Sequence, residues 1–477
     1  MYNQRNYDDG DQVPYRTQGF AGRAAYTYAD RYIAEFNFGY NGSENFAKGN
    51  RFGFFPSIAA GWIVSEEEFM RPVQNYINKL KLRASYGLAG NDRFYNDDGS
   101  QKRFAYITTI GTTDGYKWGN SNAFYDKGGL REGDPGVESL TWETVKKANV
   151  GIELGLFKMA ELQVDFFHER REDIFMQRKN IPSAPWANYG IVTNKGFDIS
   201  LDLNKQINKD WFISARASVT YAKNKIIEQD EDLGVLGTYR SSTGKPVGQI
   251  FGLVNDGLYT EADFEDVTTG KLKPGLPVPK FSDRVYPGDI KYVDFNGDGE
   301  ITETDKTAIG GTVNPELVYG FGINLSYKNI DFGAFFQGNG RTYRIIGENQ
   351  KNFLPGSTIG AEGNIFTNAS DAWTVDNPSQ DVFYPRLHMG YNANNAQVSD
   401  WWLKDMSMLR LKNVELGYSF SKNLIKKAAM EYARIFVRGT NLLQFSKFDL
   451  WDPELNTSNG LKYPIMATYS IGLQVRF

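Results

Sequence analysis

The sequence closes with Tyr469-Ser470-Ile471-Gly472-Leu473-Gln474-Val475-Arg476-Phe477, in which every second residue is apolar or aromatic. The residues between them are polar or glycine. Because successive side chains of a β-strand point to opposite faces, this alternation predicts a strand with one wholly apolar face, lying between two different media. The fold of the whole chain then depends on whether other segments repeat the pattern.

The alternation recurs along the chain and predicts about thirteen strands, nearly all antiparallel to their neighbours. Clear examples are the segments 32–40, 80–89, 197–204 and 319–327. Short turns and long loops alternate between the strands, and the longest predicted loop covers residues 225–314. Short turns at one end and long loops at the other are typical of transmembrane β-barrels.

A soluble β-sandwich or propeller also alternates, with its apolar face turned inward. Two features favour a membrane barrel. The faces opposite the apolar ones carry charges that a soluble core does not accept: Glu35, Arg83, Glu153, Asp198, Asp202 and Asp331. Aromatic residues also lie near strand ends, where the interfacial girdle of a barrel is found: Tyr26, Tyr28, Tyr32, Tyr40, Tyr86, Trp211, Tyr221, Tyr319 and Tyr327.

Composition excludes several other classes of protein. The net charge of −4 gives no basic footprint for nucleic acid. The absence of cysteine removes disulfides, thiolate catalysis and Cys-ligated zinc. No apolar run is long enough for a membrane-spanning helix. The polar first ten residues lack the basic and apolar regions of a signal peptide, so we expect any export signal to lie outside this chain.

One segment within the longest loop, residues 294–305, matches the ligand pattern of a calcium-binding loop. Gly299 stands where the loop must turn sharply, and Ile301 is the apolar residue expected to anchor it. The sequence therefore predicts a structural Ca²⁺ site, although the same residues also suit an Asx-rich turn without metal. The predicted metal-binding residues are Asp294, Asn296, Asp298, Glu300 (through its backbone carbonyl) and Asp305.

No catalytic constellation is visible, so the chain is predicted not to be an enzyme. The two histidines, His168 and His388, have no partner at ligand spacing and are predicted to lie on the surface. Tryptophans in the loops either stack on sugars or pack the loops together, and the sequence leaves both open. They are Trp118, Trp186, Trp373, Trp401, Trp402 and Trp451.

Several stretches together resemble the SusC/RagA-like TonB-dependent transporters of Bacteroidetes outer membranes. The terminal Phe477 also resembles the signal that outer-membrane barrels present to their insertion machinery. The matching stretches are 50–57 with Gly61-Trp62, 80–87, 194–197, 250–252, 287–292 leading into the Asp294 loop, 409–413 and 416–418.

This resemblance implies an outer-membrane barrel of about 22 strands with a plugged lumen. It further implies a SusD-like lipoprotein that closes the extracellular mouth, energy relayed by TonB through the plug, and import of oligosaccharides or peptides. Residues 1–477 contain no plug and only part of the strands, so they are predicted to form the carboxyl-terminal part of the barrel with its long extracellular loops.

Two other functions remain compatible with the sequence. One is a secreted, calcium-stabilised β-protein that binds glycans through its loop aromatics. The other keeps the transporter fold and changes the cargo to a siderophore or cobalamin. The loops that would select a substrate contain no motif that names it.

Overall fold

Long β-strands make up most of the computed structural model, which describes residues 2–7, 15–95, 99–120, 123–181, 185–347, 353–355, 366–426 and 429–477. The chain divides into two compact units. The first comprises Met1–Leu201, Ala222–Leu236 and Thr243–Lys245, and the second comprises Asp202–Tyr221, Gly237–Ser242 and Pro246–Phe477.

The first unit contains a run of strands that pair in sequence order. The first seven are antiparallel to their neighbours, and β8 follows β7 in the order. The strands are β1 (Tyr2–Tyr7), β2 (Tyr15–Tyr28), β3 (Tyr32–Ser43), β4 (Phe52–Ile63), β5 (Ile77–Asn91), β6 (Glu143–Leu156), β7 (Ala160–Gln177) and β8 (Trp186–Gln206), of which β8 belongs to this unit up to Leu201.

The second unit contains a similar antiparallel run, again paired in sequence order. Its strands are β9 (Trp211–Glu228, in this unit up to Tyr221), β10 (Leu317–Tyr327), β11 (Ile330–Gly340), β12 (Met408–Ser419), β13 (Tyr432–Ser446) and β14 (Thr468–Arg476). Within the described residues the two runs contain 14 strands, against about thirteen predicted from the alternation.

The alternation places apolar side chains on the exposed face of each run. In the first unit Ile58 and Phe166 are 58% and 57% exposed, and in the second unit Leu416 is 54% exposed. The charged side chains between them are more buried, as Glu153 and Arg434 illustrate with 18% and 12% exposure. This is the reverse of a soluble sandwich, in which the apolar face is the buried one.

Two predictions about the strands are settled by the backbone. The polar composition of residues 1–17 predicts a loop, which is wrong for the described part: β1 pairs with β2 through Tyr2↔Phe20, and β2 begins at Tyr15. Within the segment 409–420 the alternation slips near Lys412-Asn413, which predicts a β-bulge. This prediction is confirmed, because the register of β12 shifts there against both neighbouring strands.

The long connections carry shorter elements. Their paired strands are Phe94–Tyr95, Gln101–Lys102, Ile110–Asn120, Ala123–Glu132, Gln249–Gly252, Asn255–Leu258, Phe264–Asp266, Lys271–Leu272, Val278–Pro279, Ile290–Tyr292, Glu300–Ile301, Thr307–Thr312, Tyr343–Ile345 and Leu403–Asp405. The helical turns are Val64–Glu66, Glu68–Val73, Glu261–Asp263, Glu303–Asp305, Thr367–Ser370, Lys422–Ile425 and Pro453–Leu455. None of the helices in the described ranges is both long and apolar enough to span a bilayer.

The buried apolar cores lie among these connections. In the first unit the core is largely aromatic and includes Phe46, Phe94, Trp142, Phe175 and Trp186. In the second unit a larger core joins segments from three long connections and includes Leu253, Ile290, Tyr292, Ile301, Trp373, Tyr384, Trp402 and Phe448. The loops of each unit therefore pack on themselves and position the side chains described below.

The bulge supplies the first test. Asn441 lies in β13 opposite the register shift and has a left-handed backbone, with φ of 55°. Asn and Gly tolerate this conformation, whereas a β-branched residue does not. We expect Asn441→Val to destabilise the protein by about 1–3 kcal/mol and Asn441→Gly to leave its stability almost unchanged. Thermal unfolding of both variants in detergent measures the difference, and equal melting temperatures would contradict the assignment.

Candidate functional site

The half-buried polar face of the first unit is held by ion pairs that cross strands. Arg83 Nη2 on β5 donates to Asp165 Oδ2 on β7 at 2.6 Å. The strand between them, β6, places Gly151 in register with both residues. A Cβ at Gly151 would lie 2.5 Å from Asp165 Oδ1 and 2.9 Å from Arg83 Nε. The glycine therefore leaves the gap through which the ion pair forms.

The second unit repeats this arrangement. Arg434 on β13 pairs with Asp331 on β11, and Gly417 of the intervening β12 leaves the space for its guanidinium. Arg434 also donates to Glu415 at 2.6 Å, and Glu415 accepts from Arg438 Nε at the same distance. In both units charges on the polar face neutralise one another across strands, which makes their partial burial tolerable.

A groove of about 820 Å³ lies along this polar face in the second unit. Its charged lining residues include members of the same ion-pair network, Asp331, Glu415 and Arg438, together with the Asp202–Arg216 pair. Such a surface offers hydrogen-bond donors and acceptors of both signs without a large net charge. It suits contact with water or a polar protein surface and lacks the mainly apolar lining of a typical small-molecule pocket.

The predicted calcium loop folds as a compact turn within the second unit. Asp294 accepts backbone N–H groups from Gly297 and Gly299, at 2.7 and 2.8 Å, through its two carboxylate oxygens. Both glycines have positive φ, 74° and 82°, which a side chain would strain. Asp305, fully buried, accepts from the backbone N–H groups of Phe295 and Thr302 at 3.0 and 2.8 Å. The first and last predicted ligands therefore shape the loop.

The middle of the loop follows the same pattern. Asn296 Oδ1 accepts from the Asp298 N–H, and Asp298 Oδ1 accepts from the Glu300 N–H, both at 2.8 Å. The Glu300 carboxylate pairs with Lys280 at 2.9 Å, so its side chain points away from the turn. The carbonyls of Gly299 and Ile301 accept from the backbone N–H groups of Val278, on the neighbouring short strand, and of Lys280, directly after that strand. Because carbonyls alternate along a strand, that of Glu300 faces the other way.

The five predicted ligands thus occupy one turn and supply only oxygen donors, the chemistry that Ca²⁺ prefers. Within the described ranges, however, no three His, Cys, Asp or Glu side chains form a group arranged to hold a metal ion. The Asx hydrogen bonds hold this turn without a metal, and a metal site here would have to use the Asn296 amide and the Glu300 carbonyl besides carboxylates. The predicted anchor, Ile301, is fully buried in the core of the second unit.

Tyr239 covers one side of this loop. Its hydroxyl donates to the Thr304 carbonyl at 2.6 Å, and its ring lies 5.5 Å from that of Phe295. Burial raises the pKa of Tyr239, and the negative charge of Asp305 raises it further. The negative charge of the loop therefore contributes to the raised pKa of Tyr239.

The loop tryptophans pack the connections together. Trp186 stacks on Phe175 at 4.6 Å in the first unit, and Trp373 and Trp402 are buried in the core of the second unit. Trp401 and Trp451 pack against the same core. The side chain of Trp118 lies outside the described residues. Of the two roles left open by the sequence, the described tryptophans favour loop packing.

The prediction that both histidines lie on the surface is correct for His168 and wrong for His388. His168 is exposed, whereas His388 Nε2 lies 2.5 Å from Oδ1 of Asp289, which is fully buried. The two residues are far apart in sequence, so no spacing rule could pair them. The only available signal was the segment 287–292, noted for its family resemblance.

The exposed apolar faces, the cross-strand ion pairs and the long folded connections are together typical of the wall of an outer-membrane β-barrel. No family model matches the sequence. The chain is 30% identical to a TonB-dependent receptor of Formosa agariphila, over 99% of this chain and 47% of the relative. It is 25% identical to the TonB-dependent receptor SusC of Bacteroides thetaiotaomicron, over 98% of this chain and 45% of the relative.

Solved structures agree with these relatives. The RagAB peptide importer in its closed-closed state matches with a TM-score of 0.72 and 23% identity, over 97% of this chain and 48% of that chain. The fold is therefore shared. The resemblance to SusC/RagA-like TonB-dependent receptors predicted from the sequence is confirmed, and the chain spans about half the length of the curated relatives it matches.

The cross-strand pair in the first unit yields a test with an internal control. Gly151→Ala should displace Arg83 from Asp165 and lower the free energy of unfolding by roughly 1–3 kcal/mol, between the values of exposed and buried ion pairs. Gly61 lies in the same cross-strand row, but a Cβ there meets its nearest atom at 3.5 Å. Gly61→Ala should therefore be neutral in denaturant titrations.

The loss at Gly151 should shrink when Arg83→Gln and Asp165→Asn have already removed the charges. An effect of Gly151→Ala that persists in this background would assign the cost to the backbone and refute the role of the ion pair.

Proposed function

We propose that this chain forms barrel wall and extracellular loops of an outer-membrane, TonB-dependent nutrient receptor. The observation that carries the proposal is the exposed apolar face of both strand runs, which a lipid environment stabilises. The relatives support the proposal, since they are named TonB-dependent receptors and their similarity extends over almost the whole length of this chain.

The finer features of the proposal follow from the family. The complete receptor has a closed barrel of about 22 strands around a plug. TonB acts through that plug, and a SusD-like lipoprotein covers the extracellular mouth. This chain contributes the polar face described above, whose paired charges suit contact with a polar plug surface and with water.

The cargo we propose is an oligosaccharide or a peptide. The name SusC and the description of RagAB as a peptide importer belong to those proteins and support this range without choosing within it. The packed tryptophans weaken the alternative of a secreted glycan-binding protein, because sugar stacking requires exposed rings.

Fractionation and uptake test this function. We expect the protein in the outer-membrane fraction, released only by detergent, and we expect cells without it to lose uptake of a labelled oligosaccharide or peptide. Reintroducing the gene should restore uptake, and iron–siderophore uptake serves as the control. Protein that remains in the aqueous fraction without detergent would contradict the membrane function. Loss of siderophore uptake alone would overturn the proposed cargo.

We also propose that the 294–305 loop binds Ca²⁺ and that the ion has a structural role. Asp294 and Asp305 hold the ends of the turn, while the Asn296 amide, the Asp298 carboxylate and the Glu300 carbonyl complete an oxygen donor set. Bound Ca²⁺ would supply positive charge that offsets the carboxylates of this loop. The 294–305 loop joins the core of the second unit through Ile301. Binding of Ca²⁺ to this loop should therefore affect the stability of the connections that form the core.

Spectroscopy tests the metal proposal. Tyr239 lies on the loop, so bound Tb³⁺ should show luminescence sensitised by tyrosine, and Ca²⁺ should lower the pKa of Tyr239 by offsetting the charge that raises it. Asp298→Asn keeps an acceptor for the Glu300 N–H but removes a charge, and it should weaken binding about tenfold or more. Glu303→Gln removes a carboxylate of the same segment that pairs with Lys306, and it should bind normally.

Tyr239→Phe identifies the sensitising ring and should abolish most of the luminescence without weakening Ca²⁺ binding measured by calorimetry. Absence of Tb³⁺ and Ca²⁺ binding in the wild-type protein would mean that the turn is held by its Asx hydrogen bonds alone.

A further inference from the structure

The sequence contains four Asn-Gly pairs: Asn41-Gly42, Asn296-Gly297, Asn339-Gly340 and Asn459-Gly460. An asparagine followed by glycine can react with its own backbone, because the glycine nitrogen attacks Cγ of the asparagine amide and closes a five-membered ring. Glycine favours this attack, since it has no Cβ to obstruct the approach and its backbone rotates freely. Folding decides which pairs keep this reactivity, because hydrogen bonds and strand pairing restrain the reacting groups.

Two of the pairs lie in long strands. Gly42 of β3 is in register with residues of both neighbouring strands, Gln18 and Phe52. Gly340 ends β11 and is in register with Leu317 of β10. The backbone of a paired strand is held extended, so it cannot rotate toward the asparagine side chain without losing its ladder. Both pairs are therefore restrained by the fold.

Asn296-Gly297, in the 294–305 loop, is restrained by hydrogen bonds instead. The Gly297 N–H donates to Asp294 Oδ1 at 2.7 Å. Asn296 Nδ2 donates to Asp298 Oδ2 at 2.8 Å and to Thr304 Oγ1 at 3.0 Å. The attacking nitrogen and the leaving amide of this pair are thus both engaged.

The fourth pair, Asn459-Gly460, lies in the connection between β13 and β14 and has the opposite arrangement. Asn459 Oδ1 accepts from the Thr457 hydroxyl at 2.8 Å and from the Leu461 N–H at 3.1 Å. Because a backbone N–H can only donate, this bond fixes which end of the amide is the oxygen. Among the residues that the structure describes, Asn459 Nδ2 and the Gly460 N–H have no hydrogen-bond partner.

These contacts prepare the amide for attack. The bond from Leu461 closes a ring that contains both Asn459 Cγ and the Gly460 nitrogen, so the amide is folded back over the glycine peptide. The two donors point at the oxygen on which negative charge develops when the nitrogen adds to Cγ, and such donors stabilise the developing charge. Thr457 is buried, which holds its hydroxyl in place.

We propose that Asn459 is a site of spontaneous modification, at which the side-chain amide is lost as ammonia. The Gly460 nitrogen forms a bond to Asn459 Cγ and gives its proton to water, the bond from Cγ to Nδ2 breaks, and Nδ2 takes up a proton and leaves. Water then opens the ring at one of its two carbonyls. The product is aspartate or isoaspartate, and either one adds a negative charge at position 459.

The modification changes how this connection packs. A Cβ built on Gly460, whose φ is +72°, would lie 3.0 Å from Cε3 of Trp451, so the indole lies directly against the glycine. Trp451 packs on the core of the second unit. The Ser458 carbonyl, one residue earlier, accepts from the Gly347 N–H at 2.6 Å. Isoaspartate lengthens the main chain between these two contacts and should loosen the connection from the core.

Ageing of the purified, detergent-solubilised protein in mildly alkaline buffer tests this site. Peptide mass mapping measures the loss of amide at all four pairs, and methylation by a protein isoaspartyl methyltransferase detects isoaspartate. We expect Asn459 to react about tenfold faster than Asn41, Asn296 and Asn339. After unfolding in guanidinium chloride the four rates should converge, because strand pairing and the turns no longer distinguish the pairs.

Variants of the connection test the role of the donors. Thr457→Val removes the hydroxyl at nearly constant shape and should slow the reaction of Asn459 severalfold, whereas Thr457→Ser keeps a hydroxyl and should retain most of the rate. Asn459→Gln requires a larger ring and should abolish isoaspartate at this position. A general loss of folding would instead accelerate the reaction of Asn339 in the same sample.

Equal rates at the four pairs of the folded protein, or a faster reaction at another pair, would overturn the assignment of Asn459. An unchanged rate in Thr457→Val would overturn the role of the hydroxyl. None of these measurements depends on uptake or on insertion into a membrane, so their outcome is independent of the proposed function.

Discussion

The pairing of charges across strands is the interaction on which both strand runs depend. Strands of both runs, such as β3 and β12, have one apolar face, exposed here, and one polar face that is half buried. A carboxylate such as Asp165 or Asp331 on the polar face loses much of its hydration, and a cation at hydrogen-bonding distance compensates for that loss. In each unit the cation reaches its partner over a glycine of the intervening strand. The ion pair therefore depends on the glycine, and both require a specific strand register.

The loops depend on a different kind of anchor. Their cores are apolar and aromatic, but a few buried carboxylates fix the path of the backbone. Asp305 holds the turn of residues 294–305, and Asp289 joins residues 286–290 to residues 388–395. A buried carboxylate is costly unless it is surrounded by donors, so each of these sites specifies its partners closely. The exposed side chains between the anchors are consequently held in place without contributing to the core.

The sequence predicted those features that depend on neighbouring residues. Alternation of period two predicted the strands and their apolar faces. The spacing of those strands then showed that short turns and long loops alternate along the chain. The bulge at Lys412-Asn413 was visible as a slip in that alternation, and the 294–305 turn was visible because its Asp, Asn and Gly residues stand at fixed spacing. The strand Tyr2–Tyr7 was missed because its polar composition carries no alternation. For β7 the alternation predicts only the part from Leu162 to Phe167, because the second half of the strand, from His168, is largely charged.

Sequence by itself therefore determined that the strands have the two-faced pattern of a membrane barrel, which family they resemble and where the loop motif lies. Each of these properties is encoded by local periodicity or spacing. Only the tertiary structure decided which charges pair, which loop tryptophans are buried, and that His388 meets Asp289. Those contacts join residues far apart in the chain, and their geometry follows from strand register and loop packing. A pattern of residue types cannot specify such geometry, because many registers and loop paths satisfy the same pattern until side-chain volume and the burial of charge select among them.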